Sequence, residues 1–161
     1  MDRNKKHEEI LDAALVVFSR FGFKKTTVED IAEQVGMTKG NLYFYFKNKR
    51  ELYEKAVGRA LVQWRDYVAG AVVDIEDPVE RFNVLCDRAF GYLFNHREIR
   101  ALLVHDPNIF TLSRQDDIFR EININAMMLL GETIEQGVRA GRFHPVDIPK
   151  TTEFIYSAYI M

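Results

Sequence analysis

The stretch TTVEDIAEQVGMTKGNLYFYFKNKR, residues 26–50, decides how this chain begins to fold. It contains two short amphipathic segments joined at Gly36, a spacing typical of a helix-turn-helix. Thr27 can cap the first helix, and Asp30 lies where its carboxylate completes a capping box with Thr27. Gly36 can end that helix in a left-handed conformation, and Thr38 can cap the second helix.

The second helix carries five consecutive bulky side chains, which cannot share one face because a helix turns about 100° per residue. We expect this helix to end near Phe46, with Leu42 and Phe46 on its buried face. The side chains predicted to face outward are Asn41, Tyr43, Phe44 and Tyr45. Tyrosine hydroxyls can donate to phosphate oxygens, and an exposed phenylalanine can cover a base edge or a thymine methyl group. Basic residues at positions 47, 49 and 50 follow where they can meet a DNA backbone.

The same pattern leaves an alternative open, a core helix in a bundle that does not bind DNA. In that interpretation the tyrosines are packed and the lysines are solvated.

The distribution of charge along the chain favours the interpretation in which the helix binds DNA. Residues 1–50 hold ten Lys and Arg against seven Asp and Glu, although the net charge of the 161-residue chain is −2. This asymmetry fits an anionic partner at the N-terminal end.

Composition places the chain among ordinary globular proteins, with 47% hydrophobic and 29% charged residues. We expect no membrane span, because no segment offers about 18 uninterrupted apolar residues. The single cysteine, Cys86, rules out an internal disulfide and fits a reducing cytoplasm.

Helical spacing dominates the whole chain and predicts an all-α fold, in which a long helix joins a three-helix N-terminal bundle to a larger helical bundle. We expect a DNA-binding domain over residues 1–48. A helical effector-binding and dimerisation domain, with incomplete C-terminal helices, should cover residues 49–161. Outside the helix-turn-helix, the predicted helices run from about Arg3 to Phe21 with Gly22 as a left-handed cap, from Lys49, from Pro78 with Asp77 as N-cap, from Gln115 to Arg139, and from Pro149.

Apolar stripes in the second domain are candidates for lining an effector cavity, although each residue alone also suits an ordinary core. The candidate pocket residues are Trp64, Phe82, Cys86, Phe90, Phe94, Met127 and Phe154. Few polar groups accompany them, so we expect the ligand to be a hydrophobic or amphipathic small molecule.

Motifs of enzymes and metal sites are missing from the sequence. It has no Glu-x-x-His pair for a di-iron centre, no His-Glu-x-x-His, no phosphate-cradling Gly-rich loop and no G-x-S-x-G. His96 and His105 have no third metal ligand at a recognisable spacing. We therefore expect neither catalysis nor a cofactor.

Residues 7–57 resemble, without a gap, the N-terminal DNA-binding domain of the TetR family of bacterial transcriptional regulators. The segments ILDAALVVFSRFGFKKTT, TKGNLY and FKNKREL carry the resemblance. It implies that Thr27, Tyr43 and Tyr45 contact phosphate groups. It also implies that Lys49, at the start of the fourth helix, holds the DNA backbone. The full set of residues expected at DNA is Thr27, Val28, Thr38, Lys39, Gly40, Asn41, Tyr43, Phe44, Tyr45 and Lys49.

The resemblance further implies a homodimer whose fourth helix moves when a ligand binds in the C-terminal domain. We expect a repressor that occludes a promoter by binding a palindromic operator and leaves it when the ligand binds. An activator of the same family is the alternative, followed by a helical ligand-binding or interaction module without DNA activity. The final stretch TTEFIYSAYIM, residues 151–161, begins a helix that lacks a cap, so we expect the native chain to continue by some tens of residues.

Overall fold

The computed structural model describes residues 3–110 and 118–158, and every regular element within them is a helix. The all-α prediction is therefore confirmed. Within these residues no helix combines the length and the apolar character needed to cross a membrane. The α-helices are α1 Arg3–Lys25, α2 Val28–Val35, α3 Lys39–Tyr43, α4 Lys49–Val72, α5 Pro78–Asn95, α6 Arg97–His105, α7 Arg120–Arg139 and α8 Ile148–Ala158, with a 3-10 helix at Pro107–Phe110.

The chain divides into two compact units, and helix α4 contributes to both. The first unit runs to Ala60 and includes His96–Asp106, so it contains α1, α2, α3, the first half of α4 and α6. The second unit contains Leu61–Asn95 and the chain from Pro107, which covers the second half of α4 together with α5, α7 and α8. The functional division between residues 48 and 49 stays a prediction.

The core of the first unit is closed around α1. Helix α1 packs against both α2 and α6. The side chains at 0 to 1% exposure in this unit include Ile10, Ala14, Phe18, Ile31, Leu42, Phe46, Leu52, Ala56 and Val57. Burial of this much apolar surface is the main source of stability for such a small bundle.

The end of α1 differs from the prediction at Gly22. We expected a left-handed cap there, but Gly22 has φ 73° and ψ 167°, and helical residues continue to Lys25. The positive φ is as expected for a glycine, whereas the extended ψ lies outside the left-handed helical region. The amide and hydroxyl of Thr26 both donate to the Gly22 carbonyl, at 3.2 and 2.8 Å, and close one further turn.

Helix α4 buries one apolar stripe along its length. Tyr53, Val57, Ala60, Trp64 and Val68 are all at most 8% exposed. The predicted start of α5 is also confirmed, because it begins at Pro78 and Asp77 Oδ1 accepts a hydrogen bond from the Val79 amide at 2.9 Å.

The buried face of α5 leaves out the predicted pocket residue Phe90. Leu85 and Ala89 of α5 are buried, whereas Phe90 is 52% exposed and Tyr92 is buried in its place. Residues 85, 89 and 92 form one helical stripe, and position 90 lies about 130° away from its centre. In the chain segment before α7, Ile118 is exposed and Phe119 is buried.

Two further predictions fall partly outside the described residues. We predicted that the seventh helix starts at Gln115, which is outside them, and the helix that the structure describes begins at Arg120. The last helix begins at Ile148, one residue before the predicted Pro149.

Candidate nucleic-acid interface

The capping box predicted for α2 is present. Thr27 Oγ1 accepts from the Asp30 amide at 3.1 Å, and the Thr27 amide donates to Asp30 Oδ2 at 2.8 Å. The Thr27 hydroxyl also donates to Asp30 Oδ2, at 2.6 Å. The hydroxyl, followed by the amide, lowers the pKa of the Asp30 carboxyl below its ordinary value. This reciprocal bonding fixes the point at which the chain enters the helix-turn-helix.

The turn between α2 and α3 also follows the prediction. Gly36 is in the left-handed helical region, with φ 72° and ψ 39°. The amides of Gly36 and Met37 donate to the carbonyls of Glu33 and Ala32 at 3.0 and 2.9 Å, which ends α2. Thr38 then caps α3, because its hydroxyl accepts from the Asn41 amide at 3.2 Å.

Helix α3 is shorter than predicted, and the side chains around it are oriented as expected except that of Tyr45, which was predicted to face outward. It ends at Tyr43, and the amides of Tyr45 and Phe46 both donate to the Leu42 carbonyl, at 3.0 and 3.2 Å. Leu42 and Phe46 are each 1% exposed, whereas Phe44 is 79% exposed. Asn41 and Tyr43 are exposed, and Tyr45 is half-buried.

The cause of the early end lies at the start of α4. The Glu51 amide donates to Asn48 Oδ1 at 2.8 Å, and Glu51 Oε2 accepts from the Lys47 amide at 2.6 Å. These caps hold the residues just before α4 outside a helical conformation. The Asn-x-x-Glu spacing at 48 and 51 is visible in the sequence and could have located this boundary.

An ion pair joins α2 to α3 on the exposed surface. Lys39 Nζ lies 2.5 Å from Glu29 Oε1. The hydrogen bond from Lys39 lowers the pKa of Glu29, and the same bond raises the pKa of Lys39. An exposed pair of this kind contributes little to stability, so an approaching phosphate can compete with Glu29 for the ammonium.

Two residues predicted at DNA have their side chains elsewhere. The side chain of Val28 is buried, because it begins the inward stripe of α2, so only its backbone remains for an external contact. Lys49 donates from Nζ to the carbonyls of Phe23 and Thr26, at 2.8 and 2.9 Å. A side chain at Gly40 would meet only the Thr38 hydroxyl, at 3.9 Å, so packing within the chain does not require glycine at this position.

Arg3 is a candidate that sequence analysis missed. An open depression of about 440 Å³ beside α3 is lined by Arg3, Met37, Asn41, Phe44 and Tyr45. Arg3 thus adds a guanidinium next to the exposed face of α3. Arg3 is far from α3 in the sequence, so its place beside α3 was not predicted, although the basic run RNKK at residues 3–6 was a visible signal.

The second unit contains a small cavity of about 60 Å³. Its lining residues are Leu61, Trp64, Arg65, Val68, Leu85, Ala89, Ile122, Asn123, Ala126, Leu129, Leu130 and Tyr156. Of the predicted pocket residues, Trp64 is in this wall. Phe90, Phe94 and Phe154 instead lie on the surface at 52, 79 and 71% exposure, because they project from faces of α5 and α8 other than the buried one. Phe82, Cys86 and Met127 are half-buried, and the Phe82 ring packs edge-on against Phe143.

Polar groups in the cavity wall are held by hydrogen bonds. The Tyr156 hydroxyl donates to Asn123 Oδ1 at 3.0 Å, and Asn123 Nδ2 donates to the Ile109 carbonyl at 2.7 Å. Trp64 Nε1 donates to the Ala89 carbonyl at 3.1 Å. The half-buried Arg65 adds a guanidinium to an otherwise largely apolar wall, and this group is paired with Asp66 at 2.7 Å.

Comparison with known proteins identifies a family for the first unit. Residues 10–56 match the family described as bacterial regulatory proteins, tetR family. The transcriptional regulator YhgD of Bacillus subtilis is 27% identical over 150 residues, which cover 91% of this chain and 75% of YhgD. The transcriptional repressor KstR2 of Mycobacterium tuberculosis is 25% identical over 154 residues, covering 94% of this chain and 76% of KstR2.

Comparison of structures shows a similar fold over nearly the whole chain. The fatty acid degradation regulator FadR from Bacillus halodurans superimposes with a TM-score of 0.83 at 20% sequence identity. The match covers 99% of this chain and 82% of that structure. At this identity the similarity establishes the fold alone.

Proposed function

We propose that this chain is a transcriptional regulator of the tetR family and that it represses transcription by binding an operator of two half-sites as a homodimer. One observation carries the proposal for the DNA contact. Phe44 is 79% exposed on a short element that Leu42 and Phe46 anchor at 1% exposure each. Phe44 shares its exposed face with Asn41 and Tyr45, and a DNA major groove offers thymine methyl groups and base edges that such a face can contact.

We assign different tasks to the residues around Phe44. Asn41 has an amide that can form two hydrogen bonds with a base edge, which makes it the candidate for sequence reading. Tyr43 and Tyr45 are placed to donate their hydroxyls to phosphate oxygens. Lys39 can exchange its bond with Glu29 for a phosphate, and Arg3 can add a contact at the edge of the same surface.

Repression follows from occupancy of a promoter by the bound dimer. A dimer with two-fold symmetry would read two half-sites about 34–36 Å apart, one turn of the duplex. The similarity to KstR2, which is described as a repressor, supports repression rather than activation. Its place of action would be the cytoplasm, where the operator is.

We propose that a hydrophobic or amphipathic molecule binds the cavity of the second unit and releases the operator. The wall is mostly apolar, and Arg65, whose guanidinium is paired with Asp66, can exchange that partner for an acidic head group. A cavity of about 60 Å³ is smaller than the usual ligand pocket of about 300–1,000 Å³, so the ligand must widen it. Such a ligand binds a widened conformation better than the present one, which is the condition for shifting the equilibrium.

The route from ligand to DNA runs along α4. This helix supplies Leu61, Trp64 and Val68 to the cavity wall, and its first turn begins at Lys49 in the first unit. The description of FadR as a regulator of fatty acid degradation makes fatty acids and their thioesters the first compounds to test.

Selection of bound sequences from a random DNA pool tests the DNA-binding proposal. We expect an inverted repeat whose two halves are separated by about one helical turn. Failure to enrich any sequence would contradict the DNA-binding proposal.

A titration tests the proposed ligand class. Fatty acids, acyl thioesters and sugars can be titrated against the complex of the protein with the selected operator. Release by a strongly hydrophilic compound acting at the cavity would contradict the proposed ligand class.

A further inference from the structure

We propose that Lys49 is a positioning residue that fixes the start of α2 to the start of α4, and that this task takes precedence over holding a phosphate. The proposal rests on the DNA-binding function proposed above. It assigns to Lys49 a role in the free protein, before any DNA is bound.

The capping box of α2 creates the need for this lysine. If the helix continued through this region, the Thr27 amide would donate to the Phe23 carbonyl and the Asp30 amide to the Thr26 carbonyl. Both amides are instead used inside the capping box, on Asp30 Oδ2 at 2.8 Å and on Thr27 Oγ1 at 3.1 Å. The two carbonyls therefore need donors from another part of the chain.

Lys49 supplies those donors from the first turn of α4. Its Nζ atom lies 2.8 Å from the Phe23 carbonyl oxygen and 2.9 Å from the Thr26 carbonyl oxygen. The same ammonium lies 4.5 Å from the centroid of the Phe23 ring, within the range of a cation–π interaction. Two of its three N–H groups are thus used inside the protein, and the side chain is half-buried.

The position of Lys49 gives these bonds a consequence for regulation. Phe23 lies in the last turn of α1 and Thr26 in the short connection to α2, and α2 is joined to α3 by the Gly36 turn and the Lys39–Glu29 ion pair. Any displacement of the first turn of α4 therefore pulls on the connection that precedes α2. Through Lys49, a displacement of the first turn of α4 also displaces the helix-turn-helix.

Lys47 provides a matched control. It is a lysine two residues earlier, its side chain is exposed, and its backbone amide bond to Glu51 survives a change of side chain. Lys47→Met and Lys49→Met remove the same formal charge from neighbouring positions. The two variants can be compared for amide hydrogen exchange without DNA and for operator affinity over a range of salt concentrations.

We expect the Thr27 and Asp30 amides to exchange about tenfold faster in Lys49→Met than in the wild type, since charge-assisted bonds are lost. Operator affinity should fall about tenfold at every salt concentration with an unchanged salt slope, and Lys49→Arg should recover part of it. Lys47→Met should leave exchange unchanged and lower the slope by about one per protomer. The opposite pattern, with normal exchange and a lower slope in Lys49→Met, would overturn the proposal.

A measurement on the wild type covers the case in which Lys49→Met does not fold. Acetic anhydride modifies accessible lysine amines, and mass spectrometry can follow each lysine separately. We expect Lys49 to be modified several-fold more slowly than Lys47 without DNA, with little further protection on operator binding. If Lys49 reacted like Lys47 and became protected only with DNA, the positioning role of Lys49 would be refuted. If the protein binds no DNA at all, the proposed function fails. Amide hydrogen exchange and lysine modification without DNA still test the positioning role of Lys49.

Discussion

In the first unit the large core side chains are sealed from solvent, with Phe18, Leu42 and Phe46 at 0 to 1% exposure, whereas the second unit encloses a cavity of about 60 Å³. The difference suits two tasks. A surface that reads DNA must hold its side chains within a narrow geometry, whereas a unit that admits a ligand must be able to change its packing.

The largest expected effect tests the closed core of the first unit. Phe46→Ala should lower the free energy of unfolding by about 3–5 kcal/mol, because a fully buried ring leaves a cavity. Phe44→Ala, two residues earlier, should change it by no more than about 0.5 kcal/mol and should instead weaken operator binding. Urea unfolding and a DNA-binding titration check the pair. A similar loss of stability in both variants would show that Phe44 is part of the core.

Local signals explain why most of the first unit was predictable. The Thr27–Asp30 box, the Gly36 cap and the burial of Leu42 with Phe46 all follow from spacings of three or four residues. Such signals do not depend on which element lies nearby. The positions of Arg3 and of the Lys49 ammonium could not be predicted in this way, since both depend on contacts between distant parts of the chain.

The second unit was less predictable for the same reason. An apolar stripe shows that a helix has a buried face, but α5 offers two aromatic residues, Phe90 and Tyr92, near its edge. The neighbouring elements decide which one is buried, and here it is Tyr92. Most of the cavity wall is formed by aliphatic and polar residues that carry no signature in the sequence.

The second prediction asks whether close packing also exists in the second unit. An added Cβ at Gly137 in α7 would lie 2.0 Å from an atom of the Phe143 ring, so Gly137→Ala should cost about 1–3 kcal/mol or more. At Gly70, in α4, an added Cβ meets nothing within 4 Å, and alanine should stabilise the helix by up to about 1 kcal/mol. Thermal unfolding of both variants measures the contrast. Equal melting temperatures would show that Phe143 moves aside freely.

The third prediction separates sequence reading from charge at the DNA surface. Asn41→Ala should change the preferred base at one position of each half-site, with a loss of discrimination of about 1–3 kcal/mol. Lys47→Ala should weaken binding to all sequences alike and lower the salt slope by about one per protomer. Binding to a set of single-base operator variants at several salt concentrations distinguishes them. A changed base preference in Lys47→Ala, with none in Asn41→Ala, would reverse the assignment.

The fourth prediction removes the cavity that distinguishes the second unit. Ala126 lies in its wall on α7, and Ala126→Leu should fill part of the space with a strong helix former. We expect the free energy of unfolding to stay unchanged or to rise by up to about 1 kcal/mol. The exposed Ala140→Leu serves as the control. Calorimetry measures the stability, and a loss of about 1–3 kcal/mol in Ala126→Leu would show that the wall has no room to spare.

The smallest effect concerns Tyr53, whose hydroxyl ties α4 to the end of α6 within the closed unit. It donates to Asp106 Oδ2 at 2.5 Å, and its ring packs edge-on against Phe18 with centroids 5.0 Å apart. Burial, followed by the bond to Asp106, raises the pKa of Tyr53 well above its ordinary value. The neutral phenol therefore favours the folded state below about pH 10, where an unfolded tyrosine begins to ionise.

As the pH rises above about 10, the unfolded state releases a proton that the folded state retains, so this contribution to stability falls. Tyr53→Phe should remove that part of the pH dependence, and the stability difference between wild type and variant should shrink between pH 9 and 11. The exposed Tyr43→Phe controls for the other tyrosines. Urea unfolding across this pH range provides the measurement. A constant difference between wild type and Tyr53→Phe would mean that the hydroxyl of Tyr53 ionises equally well in the folded chain, and that this tie does not close the first unit.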